Sequence, residues 1–201
     1  MLLVLLFCTN HLRADLSRSR WHDYTWLSWM GMAAYLLHNV EEYGIDMYGR
    51  LHGFPQDIVH VMKLPPYPDC PIPPLYFVAV NVTAFWVMAP IAALPSRRHP
   101  LVGFSIYSII MINIVFHVMP LLTGGGYDAG TLTALIVFTH AILTGPMLLF
   151  VKGMIGSTPM VLIQFANLFV LMLILRLGER WRSGALISPR AGDVEASAAA
   201  R

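Results

Sequence analysis

Long runs of apolar residues, each bounded by proline, glycine or charge, dominate the chain. Four runs have the roughly 20 mainly apolar residues that a membrane-spanning helix needs. They cover residues 75–94, 101–122, 130–151 and 158–175. A fifth run, 24–44, carries ionisable residues in its last third and is flanked by tryptophan and tyrosine, as at a membrane interface. The pattern predicts an all-α membrane protein, a bundle of about five transmembrane helices.

The segments outside these runs divide the chain further. We expect residues 1–20 to form an N-terminal leader that is poorly ordered or interfacial, and residues 183–201 to form a disordered C-terminal tail. The transmembrane domain is expected between them, over 21–182. Within this domain, we expect residues 50–63 to form a short amphipathic helix at the membrane surface. The proline-rich stretch 64–74 cannot be helical, because proline removes hydrogen-bond donors.

Composition supports a membrane environment and argues against one class of partner. Apolar residues make up 57% of the 201 residues and charged residues 12%, and a soluble domain of this size could not bury so much apolar surface. The net charge is +2, and no stretch interleaves basic and aromatic residues, which excludes a nucleic-acid surface. We therefore expect a multi-pass protein of the cell membrane whose partner is the lipid bilayer. Lysine and arginine are balanced between its two sides, so the orientation stays open.

Ionisable residues inside the predicted spans are the candidates for chemistry, because a charge at the centre of a bilayer costs at least about 2.5 kcal/mol. In the first span, His38, Glu41 and Glu42 stand at positions i, i+3 and i+4, which share one helix face. In the third span, Asn113 and His117 stand at i and i+4. The first and third spans run in the same direction, so both sets are expected in one leaflet, turned away from lipid.

Further residues, most of them polar, are expected at the same depth, at the starts of the second and fourth spans. They are Asn81, Tyr127, Asp128, Gly130, Thr131 and Thr133. The candidate catalytic residues are His38, Glu41, Glu42, His117, Tyr127 and Asn113. The candidate metal ligands are His38, Glu41 and His117.

Two chemistries suit this set of residues. Histidine with carboxylates can hold a divalent metal such as zinc or iron, with an open position for reaction. The same groups can instead act as a general acid and base. The spacing does not choose between the two. A third interpretation is structural, since a His–Glu pair can neutralise itself and brace neighbouring helices.

The motif at 38–42, His-Asn-Val-Glu-Glu, resembles the signature of the HXXEE proteins, a family of small, very hydrophobic membrane proteins without an agreed biochemical role. In that family an Asn-x-x-x-His precedes a tyrosine, a Pro-Gly and a Thr-Ala pair. The chain has these elements in order at Asn113, His117, Tyr127, Gly130 and Thr133-Ala134. Ala129 stands where the family has proline, so the likeness is looser at this turn. The resemblance covers about 24–152 and implies which residues matter, but it supplies no reaction.

These observations favour a membrane-embedded enzyme that acts on a hydrophobic small molecule such as a lipid, an isoprenoid or a polyketide-like compound. Isomerisation, cyclisation or hydrolysis fits better than redox chemistry, since the sequence has no redox-cofactor motif; a divalent metal is the candidate cofactor. A proton- or metal-coupled transporter or transport accessory is an alternative. Five helices without an internal repeat is small for a carrier. A non-catalytic membrane partner is the third alternative.

Overall fold

The structure, a computed structural model, describes residues 1–145, and this part of the chain is all-helical. The first helices are α1, Leu2–Cys8; α2, Tyr24–Asn39; and α3, Gly53–Val61. Two long helices follow, α4, Pro74–Arg97, and α5, Pro100–Leu122. The last helix, α6, consists of the consecutive segments Thr131–Thr133, Ala134–Phe138 and Thr139–Thr144.

The predicted helices agree with the described ones within a few residues at α2, α4 and α5, and the short helix expected within 50–63 is α3. By length and composition, α4 and α5 could cross a membrane, and no other helix in residues 1–145 meets both criteria. Residues 1–145 thus contain two candidate spans, and the predicted bundle of about five is not shown. The second half of the predicted span 130–151, the span 158–175 and the tail 183–201 lie outside the described residues.

Within residues 1–145, three helices contain or continue into a π-helical segment, in which one extra residue per turn changes the direction of the side chains that follow. Val40–Gly44 continues α2, Val82–Met88 lies within α4, and Ala134–Phe138 lies within α6. Such segments occur frequently at functional sites. The segment that continues α2 carries both glutamates of the motif, and both are buried.

The N-terminal segment is fastened to the start of α2. The Asp23 side chain accepts hydrogen bonds from the backbone N–H groups of Thr25 and Trp26, which is the usual way that aspartate begins a helix. The same carboxylate accepts the backbone N–H of Ala14 at 2.8 Å. The Trp26 indole donates to the Leu6 carbonyl at 2.9 Å. The segment that the sequence predicted as a poorly ordered or interfacial leader therefore carries α1 and packs against α2.

Helices α2 and α5 approach closely through small residues. A Cβ added at Gly31 of α2 would lie 2.8 Å from Ile106 Cγ2 and 3.1 Å from the Tyr107 ring. Small residues at such crossings let two backbones come together. The Tyr107 hydroxyl also donates to the Leu27 carbonyl at 2.7 Å. This crossing fixes the position of α5 relative to α2.

The contacts between α2 and α5 advance in the same direction along both helices. After the Tyr107–Leu27 hydrogen bond, Asn113 donates to the Tyr35 hydroxyl at 2.6 Å. One turn further, the His38 and His117 rings lie 4.9 Å apart. The two helices are therefore parallel, as the sequence predicted, and the two histidines meet at their C-terminal ends.

Candidate functional site

Three buried ionisable side chains, His38, Glu42 and His117, face one another and form what we call the buried centre. Their relative exposures are 0%, 1% and 2%. Glu42 Oε1 lies 3.2 Å from His38 Nε2 and 3.4 Å from His117 Nε2. Each residue offers one ligand atom to the centre, and these atoms all lie within 4.8 Å of one another. The three side chains can therefore act on a single atom or ion.

The second nitrogen of each imidazole is held by a polar side chain from the segment around the start of α6. His117 Nδ1 lies 2.6 Å from Asp128 Oδ1, and the Thr131 hydroxyl donates to that same oxygen at 2.6 Å. His38 Nδ1 lies 2.7 Å from the Thr133 hydroxyl. Both rings are thus fixed in orientation from outside the buried centre.

These partners assign the tautomers of both histidines. A carboxylate only accepts hydrogen bonds, so His117 carries its proton on Nδ1, toward Asp128. The Thr133 hydroxyl has one hydrogen, and it donates this to Glu41 Oε2 at 2.5 Å. It must therefore accept from His38 Nδ1. In their neutral forms, both imidazoles present an Nε2 lone pair to Glu42.

The atoms that face inward have no hydrogen-bond partner of their own. Nε2 of His38 and Nε2 of His117, which face Glu42 Oε1, are buried and without one, and so is the other oxygen of Glu42, Oε2. Buried polar atoms in proteins are almost always paired, and an unpaired one calls for an explanation such as an ion or a catalytic role. The buried centre holds three such atoms within one small volume.

Glu41, by contrast, is fully engaged in holding the helices together. Its Oε1 accepts from the Tyr127 hydroxyl at 2.7 Å and from the Leu132 backbone N–H at 3.2 Å. Its Oε2 accepts from the Thr133 backbone N–H at 2.7 Å and from the Thr133 hydroxyl. A carboxylate in this position satisfies the free N–H groups that begin α6 and complements the helix dipole.

The predicted metal-ligand set is His38, Glu41 and His117, whereas the side chains that the structure groups closely enough to hold an ion are His38, Glu42 and His117. A regular helix would put all three motif side chains on one face. In the π-helical segment Val40–Gly44, the two adjacent glutamates have different partners. Glu42 faces the two histidines, and Glu41 reaches the start of α6.

The other two predicted catalytic residues lie around the buried centre rather than in it. The Tyr127 hydroxyl donates to Glu41 and accepts the Met47 backbone N–H at 3.2 Å. Burial, followed by the hydrogen bond to Glu41, raises the pKa of Tyr127, so the phenol stays protonated and keeps donating. Asn113 donates to Tyr35, whose ring lies 5.6 Å from that of His38.

Gly130 forms a backbone wall against both histidines. Its φ of +113° belongs to the left-handed region that favours glycine. A Cβ at this position would lie 2.6 Å from His117 Cε1 and 2.8 Å from His38 Cε1. The sequence placed Gly130 in a compact turn, but its contact with the imidazoles depends on the path of the loop and could not be read from spacing.

Aromatic rings enclose the buried centre. The Phe138 ring lies 4.3 Å from His38, and the Phe54 ring lies 6.0 Å from His117. Removal of water by these rings strengthens the electrostatic interactions inside. The same rings offer an apolar surface next to the reactive groups.

A second polar cluster, the Asp46–Arg50–Asp57 network, fastens α3 over this end of the molecule. Arg50 Nε lies 2.7 Å from Asp46 Oδ2, and the other guanidinium nitrogens lie 2.9 and 2.8 Å from the Asp57 oxygens. Asp57 Oδ2 also accepts the Ala129 backbone N–H at 2.7 Å. This ties α3, which carries Phe54, to the loop that carries Asp128 and Gly130.

The fold and the site together define an all-helical protein with a buried His–Glu–His centre at the ends of two parallel helices. Residues 29–144 match the family described as "Protein of unknown function with HXXEE motif". The match covers more than half of the chain, and the chain belongs to this family. No curated protein and no solved structure matches the chain.

Proposed function

We propose that the protein is a multi-pass membrane enzyme that transforms a hydrophobic small molecule at the buried centre. The reaction is an isomerisation, a cyclisation or a hydrolysis that uses acid–base or metal-assisted chemistry. His38, Glu42 and His117 touch the reacting atoms, and Glu41 and Tyr127 hold the surrounding frame.

The membrane part of the proposal is supported by the outer surface of α4. Apolar side chains there are strongly exposed, with Trp86 at 60%, Ile91 at 56% and Leu94 at 69%. Water disfavours such a surface at about 25 cal/mol per Å² of apolar area, whereas lipid does not. Helices α4 and α5 also have the length and hydropathy to cross a bilayer.

The enzymatic part rests on one observation, the three inward-facing atoms of the buried centre that have no hydrogen-bond partner. A carboxylate between two imidazole nitrogens can take a proton from a substrate and exchange it with the histidines. The aromatic rings of Phe54 and Phe138 provide the apolar walls typical of small-molecule sites. Groups that only braced helices would be paired with each other in good hydrogen-bond geometry.

Comparison of small-molecule extracts tests this function even while the substrate is unidentified. Cells that express the wild-type protein are compared by mass spectrometry with cells that express Glu42→Gln or His117→Gln at equal protein levels. The matched control is His99→Gln, since His99 is exposed and lies outside the buried centre. We expect a hydrophobic compound to change in the wild type and the control but not in the two site variants.

Two results would overturn the proposal. Identical extracts from wild-type and Glu42→Gln cells would show that the buried centre performs no conversion. Uptake of an unmodified compound by vesicles that carry the protein, dependent on Glu42, would assign transport instead of catalysis.

A further inference from the structure

We propose that the buried centre binds one divalent transition-metal ion, of the zinc or ferrous-iron class, through Nε2 of His38, Nε2 of His117 and a carboxylate oxygen of Glu42. Asp128 and Thr133 are positioning residues that hold the two imidazoles for it. This proposal rests on the proposed function, because both assign the chemistry to the buried centre. It adds the cofactor that the centre uses.

The charge balance at the buried centre calls for a cation. The hydrogen bonds from Nδ1 of both imidazoles leave two Nε2 lone pairs and a carboxylate directed at one another, at 3.2 and 3.4 Å. Acceptors facing acceptors in a buried site are unfavourable unless a cation lies among them. A proton satisfies one nitrogen–oxygen pair at a time, whereas a metal ion satisfies all three donor atoms together.

The separation of the donor atoms suits a metal ion. Zinc lies about 2.0–2.2 Å from histidine nitrogen and carboxylate oxygen, so neighbouring donors of a tetrahedral site are about 3.3 Å apart. The two nitrogen–oxygen distances of the buried centre, 3.2 and 3.4 Å, bracket that value. Two of the three donor pairs thus have the spacing that the ion requires, and all three donor atoms lie within 4.8 Å of one another.

The residues behind the ligands are those that support metal-binding histidines. Such histidines almost always donate their second N–H to a carboxylate or another oxygen, which fixes the tautomer and raises the basicity of the ligating nitrogen. Asp128 does this for His117, and Thr133 does it for His38. Glu41 in turn accepts from Thr133. The two glutamates of the motif therefore divide the work: Glu42 is a ligand, and Glu41 orders the support of the opposite ligand.

The number and type of the ligands indicate a catalytic ion. Three protein ligands leave a coordination position open, as in catalytic rather than structural zinc sites. Gly130 keeps the neighbouring space free, since a Cβ there would lie 2.9 Å from His117 Nε2. Nitrogen and oxygen donors without sulfur suit zinc and ferrous iron. An ion held this way can polarise a carbonyl group or activate a bound water molecule.

Titration with cobalt(II) chloride tests the site through a spectroscopic signal that needs no activity assay. The full chain is purified in detergent, stripped with a chelator and titrated, and the visible absorption of bound cobalt is recorded. We expect one cobalt ion per chain in the wild type. Glu42→Gln, which keeps the shape of the side chain, is expected to weaken binding more than about 100-fold, because loss of a ligand costs more than loss of a ligand's support.

Asp128→Ala isolates the positioning role. We expect about 10- to 100-fold weaker cobalt binding and an altered absorption spectrum, with partial recovery in Asp128→Asn, whose amide oxygen still accepts from Nδ1. The matched control is Asp57→Ala. Asp57 holds the adjacent Ala129 backbone N–H but does not contact His117, so its loss should change the affinity less than about twofold.

The outcomes separate this proposal from the proposed function. Wild-type protein that binds no cobalt, or Glu42→Gln that binds it as tightly as the wild type, would overturn the metal site. The extract comparison of Glu42→Gln would still decide whether the centre works by proton transfer alone. Equal losses of cobalt affinity in Asp128→Ala and Asp57→Ala would overturn the positioning role of Asp128. They would mean that Asp128 only stabilises the loop before α6.

Discussion

The buried centre and the Asp46–Arg50–Asp57 network are both clusters of charged side chains at the same end of the molecule, but they are built in opposite ways. In the network, the Arg50 guanidinium is shared between two carboxylates at 2.7–2.9 Å. Asp46 also accepts the backbone N–H groups of Tyr48 and Arg50. Every charge there has its counter-charge or donor. In the buried centre, Glu42 Oε1 lies within 3.4 Å of both Nε2 atoms, yet neither Nε2 atom nor Glu42 Oε2 has a hydrogen-bond partner.

This difference separates polar groups that hold the fold from polar groups that are available for chemistry. Burial alone does not distinguish them, since Asp46 and Glu41 are each 6% exposed and Glu42 is 1% exposed. Their hydrogen-bond partners do distinguish them. The contrast is sharpest between the adjacent residues Glu41 and Glu42, one with four donors and one with an unpaired oxygen.

The largest expected effect comes from substitution of the two glutamates separately. Glu42→Gln should weaken metal binding by more than about 100-fold, because it removes the charged ligand. Glu41→Gln should lower the free energy of unfolding by about 2–4 kcal/mol, because it weakens charged hydrogen bonds that hold α6. Thermal unfolding in detergent measures the stability, and cobalt titration measures the metal affinity. Glu41→Gln with unchanged stability would contradict the division of roles.

Gly130→Ala should give the next largest effect. The new Cβ would collide with both imidazoles, so we expect a loss of cobalt affinity of at least about tenfold as well as backbone strain of about 1–3 kcal/mol. Gly126→Ala is the matched control, because Gly126 has a φ of +82° but no atom within 4 Å of the added Cβ. Similar cobalt affinities of the two variants would mean that Gly130 does not border the site.

Thr133→Val tests the support of His38 with a smaller expected effect. The variant keeps the shape of threonine but gives His38 Nδ1 no oxygen partner, so cobalt affinity should fall about tenfold. Thr133→Ser restores the hydroxyl and should restore most of the affinity. If serine and valine give the same affinity, the hydroxyl does not orient the imidazole.

The network should respond to pH with the smallest effect. Burial alone would raise the pKa of Asp46, but the backbone and side-chain hydrogen bonds from Arg50 outweigh it and lower that pKa. A lowered pKa in the folded state means that the stabilisation is present above the ordinary aspartate pKa of about 3.9 and is lost as pH falls through the folded-state value. We therefore expect the protection of α3 against hydrogen exchange, that is, the intrinsic exchange rate relative to the observed rate at the same pH, to decrease below about pH 4, by an amount equivalent to about 1 kcal/mol or less.

Asp46→Asn provides the control for this prediction. The variant should be less protected than the wild type at neutral pH and lose less protection on acidification. Wild-type protection of α3, corrected for the intrinsic exchange rate, that does not change between neutral pH and about pH 3 would contradict the role of Asp46 in fastening α3.

The sequence predicted the helices that carry the histidines and their parallel arrangement. Apolar runs with clear ends at Pro74, Pro100 and Gly124 delimit α4 and α5. The i, i+4 spacing of Asn113 and His117 correctly puts both side chains toward α2. These features are local, so a single pattern of residues is enough to reveal them.

The roles of the two glutamates and the supporting residues could not be predicted from the same pattern. The spacing puts both glutamates near His38, and which of them also meets His117 depends on how α2 packs against α5 and the start of α6. Asp128 and Thr133 were visible as polar residues near the site. Their contacts with His117 and His38 depend on how the loop before α6 folds back over α5, which is a tertiary arrangement without a periodic signal.

The ligand environment of the bound metal is the most direct test of the buried centre. The zinc-loaded full chain is examined by X-ray absorption at the zinc edge, and the fine structure gives the type and distance of the nearest atoms. We predict that zinc has only nitrogen and oxygen neighbours, at about 2.0–2.2 Å. We also predict scattering from the outer atoms of two imidazole rings, and this signal should disappear in the double variant His38→Ala, His117→Ala. A sulfur neighbour at about 2.3 Å, or a spectrum that the double substitution leaves unchanged, would contradict a metal held by His38, Glu42 and His117.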